Sequence, residues 1–170
     1  MQNYRSLDMS VREATAEDVP HLMGMIRELA EYEKMPSSVK IDEATLARDL
    51  ARDAYGGFVV VDDETKEVAG MLLYYLPYST WIGQFMHMED LYVRPAYRRK
   101  GYGKVLWRAA AQLSRDRGYV RFQWDVLNWN TPAINFYKKC PGAVDLTEKE
   151  GWLKYRLDAE GIAMMADSTD

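Results

Sequence analysis

The 170-residue chain has one cysteine, Cys140, and two histidines, His21 and His87. A single cysteine excludes an intramolecular disulfide. Two histidines and one thiol, without ligand spacing, make no zinc site, and no metal is expected. A surplus of positive charge is also missing. Lys and Arg number 22 against 26 Asp and Glu, a net charge of −4. That argues against a nucleic-acid binder, whose affinity rests on basic side chains. No apolar run approaches the roughly 20 residues that cross a bilayer. Residues 1–10 have no apolar signal-peptide core. The expectation is a cytoplasmic protein with no membrane or nucleic-acid partner. The composition, 48% hydrophobic and 28% charged, is that of an ordinary globular domain. Without repeats or an interdomain linker, the chain reads as a flexible leader at 1–8, one domain at 9–165 and a tail at 166–170.

Periodicity then gives the elements. Residues 9–13 form a short strand candidate. Val19, Leu22, Ile26 and Leu29 recur at helical spacing, and Thr15 with Glu17 and Asp18 marks the helix start. A second helix is expected at about 42–53, capped by Asp42. The β-branched run Phe58-Val59-Val60-Val61 and the segment 68–75 read as a hairpin around the turn Asp62-Asp63-Glu64-Thr65-Lys66. Residues 77–83 read as a loop and 85–93 as a third long strand. A helix at 101–117 closes on Gly118. A strand at 120–127, a short helix at 132–139 and a last strand at 152–157 complete the order β-α-α-β-β-β-α-β-α-β. This is an α/β (mixed α+β) pattern: a mixed sheet with helices on both faces.

The sharpest local signal lies between the third strand and its helix. Arg98-Arg99-Lys100-Gly101-Tyr102-Gly103 places glycines and cations at a helix start. Helix N-termini present unpaired N–H groups and a partial positive charge, and glycine lets a phosphate approach the backbone. A P-loop needs glycine at 98 and Ser or Thr at 105, where this chain has Arg98 and Val105. A dinucleotide fingerprint needs a small residue at 106, which is Leu106. The pattern that fits is Leu91-Tyr92-Val93 followed by Arg98-x-x-Gly101-x-Gly103. A second segment, Asn130-x-x-Ala133-x-x-Phe136-Tyr137, follows the next strand.

Together these two segments resemble the coenzyme-A motifs of the GNAT N-acetyltransferase superfamily. Glu31-Tyr32-Glu33-Lys34, Tyr78-Ser79-Thr80-Trp81, Met88-Glu89-Asp90, Trp129-Asn130 and Glu150-Gly151-Trp152 are similar to the diamine acetyltransferases within it. These include the spermidine/spermine and thialysine types. Lys138-Lys139-Cys140-Pro141 runs one residue longer than the family pattern, which leaves the register of 145–150 open. The resemblance implies a GNAT fold: a central mixed, mostly antiparallel sheet of six to seven strands flanked by about four helices. It implies a homodimer. It also implies acetyl-CoA as cosubstrate, with transfer to the primary amine of a small molecule by direct attack in a ternary complex. That amine belongs to a polyamine or diamine (spermidine, spermine) or to a thialysine-like amino acid. Two alternatives stand beside this: a protein or peptide N-acetyltransferase on the same fold, and a non-catalytic regulator that binds acetyl-CoA or polyamine.

Residue roles follow from the same resemblance. Leu91, Tyr92, Val93, Arg98, Arg99, Lys100, Gly101, Tyr102, Gly103, Lys104, Asn130 and Tyr137 are expected to hold the cofactor. Leu91 and Val93 would pair with the pantetheine arm, and a bulge nearby would free an N–H for the thioester carbonyl. Glu89 is expected as general base and Tyr137 as general acid. A phenol suits the second task because its pKa lies near that of a thiol. Asn130 either binds cofactor or amine, or only caps the next helix. Tyr32, Glu33, Trp81, Glu89, Asp125 and Glu150 are the expected amine-binding residues, since carboxylates and aromatic faces attract ammonium groups. Asp90, under regular alternation, faces away from Glu89.

Overall fold

A computed structural model describes Tyr4–Arg5 and residues 9–168. The chain divides into two compact units, one up to Asp125 and one from Val126 onward.

The first unit holds eight strands and three α-helices among the described residues. They are β1 (Tyr4–Arg5), β2 (Met9–Glu13), α1 (Val19–Tyr32), α2 (Glu43–Ala51), β3 (Gly56–Asp62), β4 (Val68–Tyr75), β5 (Tyr78–Ser79), β6 (Gly83–Gln84), β7 (Met86–Val93), α3 (Tyr102–Asp116) and β8 (Phe122–Trp124). Six strands make one sheet in the order β1-β2-β3-β4-β7-β8. Every neighbouring pair is antiparallel except β7 and β8, which α3 joins as a parallel crossover. The expected mixed, mostly antiparallel sheet is therefore present. The region expected as a loop at 77–83 instead folds into the small β5–β6 hairpin. Part of the expected leader pairs as β1. Residues 1–3 and 6–8 lie outside the described residues.

Sequence periodicity explains which faces are covered. Val19, Leu22, Met23 and Met25 of α1 and Leu46 of α2 bury against Val59, Met71, Leu73 and Tyr92 on one side of the sheet. Asp42 caps α2 by accepting from the Thr45 N–H at 2.8 Å. On the other side α3 packs across β2, β3, β4 and β7. There the Ser114 hydroxyl donates to the Met86 sulfur at 3.3 Å. The sheet is thus covered by helices on both faces, and β7 runs through its interior.

The second unit contains α4 (Thr131–Tyr137), α5 (Leu146–Glu150) and α6 (Ala159–Asp167). Residues 152–157, expected as the last strand, carry no strand. Their alternation is real, but alternation sets a propensity, and a strand exists only when a neighbour completes its ladder. The α6 helix occupies what was read as the domain end and the start of the tail; residues 169–170 lie outside the described residues. Six α-helices are therefore present among the described residues, against about four expected. None of these helices is long and apolar enough to cross a membrane.

Candidate active site

The site of the first unit is built on β7. From Met86 to Met88 this strand pairs with β8, Met86 opposite Phe122 and Met88 opposite Trp124. On its other side it pairs with β4, but the register shifts: Tyr74 faces Met88 and Leu73 faces Asp90. Glu89 is the extra residue of a β-bulge. Beyond it, β8 has ended, and residues 89–93 pair only with β4 within this unit. Within this unit one edge of β7 thus has no strand partner along Glu89, Asp90, Leu91, Tyr92 and Val93.

The bulge corrects one expectation. Regular alternation places Asp90 away from Glu89. The extra residue breaks that alternation, so that both carboxylates lie close enough to Glu33, just beyond α1, for their charges to interact. Burial, reinforced by Glu89 and then Glu33, pushes the Asp90 carboxyl up to about 7. Burial and then Glu89 raise the Glu33 carboxyl as well. Neighbouring like charges penalise ionisation in the same direction as desolvation does. Among the described residues no side-chain hydrogen bond or ion pair satisfies any of the three.

Two of the other expected amine-binding residues sit on this unit's surface. Asp125 follows β8 and pairs with Nε2 of His87 at 3.5 Å. His87 is buried and packs on the Tyr75 ring, centroids 4.9 Å apart. Trp81, at the tip of the β5–β6 hairpin, is 81% exposed.

The other end of β7 feeds the glycine turn. Gly101 caps α3 with φ of +92°, a left-handed conformation that favours glycine. The Lys104 and Val105 N–H groups donate to its carbonyl at 3.0 and 3.1 Å. The N–H groups of Tyr102 and Gly103 have no acceptor within the helix. A Cβ placed on Gly103 would meet only Val93 Cγ2, at 3.9 Å. Neither backbone angle nor protein packing demands glycine at 103, so its missing side chain leaves the helix start accessible. Arg99, Lys100 and Lys104 are exposed around it. These features fit a pyrophosphate.

Arg98 takes an unexpected position. Its Nε–H donates to the Val93 carbonyl at 2.8 Å, and its guanidinium lies 5.4 Å from the Tyr92 ring and 5.6 Å from the Tyr32 ring. It joins the end of β7 to the end of α1. Tyr32 thereby belongs to a cation–aromatic cluster.

In the second unit, Asn130 caps α4, its side chain accepting from the Ala133 N–H at 3.3 Å. The capping role is the one the geometry displays. Tyr137 ends α4 with its ring against Phe136, centroids 5.4 Å apart. Glu150 ends α5 and accepts from the Trp152 indole N–H at 2.9 Å. Burial pushes the Cys140 thiol up, away from nucleophilic character.

The chain is similar to known proteins. Residues 22–141 match the acetyltransferase (GNAT) family. The chain is 46% identical to the thialysine N-epsilon-acetyltransferase of Caenorhabditis elegans, covering 90% of this chain and 94% of that protein. The mouse enzyme of the same name is 39% identical, over 92% and 96%. The human spermidine/spermine N(1)-acetyltransferase-like protein 1 is 31% identical over 92% of this chain, which spans 23% of that protein. Among solved structures, an integron cassette protein of V. cholerae superposes with a TM-score of 0.74 at 21% identity, over 96% of this chain and all of that one. On these matches the chain is an N-acetyltransferase and belongs to the GNAT acetyltransferase family.

Proposed function

We propose that the protein transfers the acetyl group of acetyl-CoA to a primary amine of a small, lysine-like amino acid of the thialysine type. The observation that carries this reading is the course of β7. One strand presents a bulged carboxylate, then an open backbone edge, then a helix start suited to pyrophosphate. The names of the C. elegans and mouse relatives favour thialysine over a polyamine.

The residues divide the work as follows. The N–H groups at the start of α3, with Arg99, Lys100 and Lys104, would hold the pyrophosphate. The free edge at Leu91 and Val93 would pair with the pantetheine arm. Acetyl-CoA supplies the activated acyl group as a thioester. Alkyl ammonium groups titrate near 10, so the amine needs a proton acceptor before it attacks. Glu89 serves as that acceptor, directly or through one water. Glu33 and Asp90 add negative charge that favours binding of the cation. Tyr137 returns a proton to the departing thiolate. A homodimer, as the family resemblance implies, is part of the proposal.

The test is thiol release from acetyl-CoA across thialysine, lysine, putrescine, spermidine and spermine. Thialysine is expected to exceed each polyamine in kcat/KM by about tenfold or more. The reverse order would move the assignment to polyamines. Bound acetyl-CoA without turnover on any of these amines would sink the reading.

A further inference from the structure

The glycine turn does not hold its shape unaided. Arg99, without the freedom of glycine, has φ of +64°, and Gly101 follows at +92°. A residue other than glycine in this left-handed conformation persists only where the surroundings fix it. Exposed Arg99 and Lys100 make few fixing contacts themselves. The residues on either side, Tyr97 and Tyr102, are buried. Their rings meet edge to face, centroids 6.0 Å apart at 87°. Lys100 Nζ lies 5.5 Å from the Tyr97 ring, which draws the middle of the turn toward the same pair.

Both hydroxyls reach the β3–β4 turn. Tyr102 donates to Oδ2 of Asp62. Tyr97 donates to Oε2 of Glu67 at 2.8 Å and lies 3.0 Å from the Thr65 hydroxyl. Asp62 is 4% exposed and is satisfied on its other oxygen, Oδ1, by the Thr65 N–H at 2.8 Å, the Glu64 N–H at 3.1 Å and the Thr65 hydroxyl at 3.1 Å. Asp18, which is also buried, is balanced by Arg12 at 2.6 Å. Asp62 instead has its charge held by a phenol, a hydroxyl and two amides. These bonds keep its carboxyl at about 2, the Tyr102 hydroxyl contributing most. The carboxylate is therefore a fixed, ionised acceptor at any working pH. Its charge-assisted bond to Tyr102 is of the stronger kind.

We infer that Asp62, Thr65 and Glu67 are positioning residues for acetyl-CoA. Through Tyr97 and Tyr102 the β3–β4 turn braces the 98–103 loop in its phosphate-binding shape, although the turn itself touches no substrate. The inference rests on the acetyl-CoA reading of that loop. A loop ordered in advance binds without a further loss of chain entropy; an unbraced loop must be ordered by the ligand, which weakens binding.

Calorimetric titration with coenzyme A is the first arm. Wild-type protein that does not bind coenzyme A at all overturns the acetyl-CoA reading itself. Given wild-type binding, Tyr102→Phe removes one oxygen and keeps the ring. Its Kd for coenzyme A is expected to rise about five- to tenfold. Steady-state kinetics of Asp62→Asn and Glu67→Gln form the second arm. Each is expected to raise the KM for acetyl-CoA several-fold, with kcat at saturating acetyl-CoA and the KM for amine within about twofold of wild type. A role confined to stability would lower Tm and leave Kd and KM in place, and that result overturns the inference. If Tyr102→Phe does not fold, Tyr97→Phe is read by the same titration, and an unchanged Kd is again decisive against the brace.

Discussion

The two ends of β7 solve opposite problems. At the phosphate end three side chains are matched. Arg98 caps the Val93 carbonyl, Tyr102 meets Asp62, and Tyr97 meets Glu67. At the bulged end three carboxylates, Glu33, Glu89 and Asp90, crowd together, and burial and mutual repulsion raise Asp90 and Glu33. The first end has its loop held by these bonds. The second is left electrostatically unfavourable, which a bound cation would relieve. Proteins place such unrelieved charge where function needs it, at a cost in stability. On the proposed function, the two ends would prepare for their ligands differently: by shape for the anionic cofactor and by unbalanced charge for the cationic amine.

The largest expected effect comes from the bulged end. Glu89→Gln keeps the size and the bulge but removes the base. General-base loss typically costs about 10²–10³-fold, so kcat for the preferred amine is expected to fall by that factor. Coenzyme A should bind as before, because the phosphate end is separate. A loss of coenzyme A affinity in this variant would break the division between the two ends.

A smaller effect is expected from the phosphate end. Gly101→Ala forces a side chain into a left-handed conformation, at roughly 1–2 kcal/mol. Either the helix start deforms or the strain is borne by the folded state. The KM for acetyl-CoA is expected to rise about tenfold, with the KM for amine unmoved. Equal changes in both would show that the ends are mechanically one site.

Which parts of this were legible beforehand follows from the physics of each feature. The strands at 9–13 and 68–75 appear with the expected bounds, because a two-residue period and bounding turns are written in the local sequence. The glycine turn was legible for the same reason, since left-handed backbone and open helix starts select residue types directly. The bulge was expected only by resemblance, and its position was not. A single extra residue alters pairing between β4 and β7 without altering either strand's composition, so the regular alternation assumed at Asp90 does not hold. The bond from Arg98 to the Val93 carbonyl was not legible, because a basic turn looks the same whether its cation faces an anion or a carbonyl. The Asp62 brace joins residues 40 apart, and a polar turn gives no sign that its first aspartate is buried. At 152–157 the error ran the other way. Leu153, Tyr155 and Leu157 alternate as in a strand yet are 69%, 88% and 56% exposed. α6 was missed because Gly161 weakens the helical signal, although the Asp158 side chain accepts from the Gly161 N–H as a cap.

The smallest expected effect is the most direct probe of the unbalanced end. Asp90 titrates near 3.8 when unfolded and near 7 when folded. Between those values the folded state holds a proton that the unfolded state has released. Stability from this group is therefore complete below about 3.8 and is lost as pH rises through 7. Glu33 at the end of α1 and Glu89 beside it on β7 are the charges that set the shift, along with burial. Asp90→Asn cannot ionise and should not show that loss. Because Asp90 keeps some contact with solvent, the gain at pH 8 relative to pH 4.5 is expected to be about 1 kcal/mol, less than the full shift implies. Urea midpoints of the two proteins at the two pH values measure it. A difference between them that does not change with pH would mean that Asp90 is ionised throughout. The carboxylates would then be relieved by the protein itself, and the contrast between the ends of β7 would be one of shape alone.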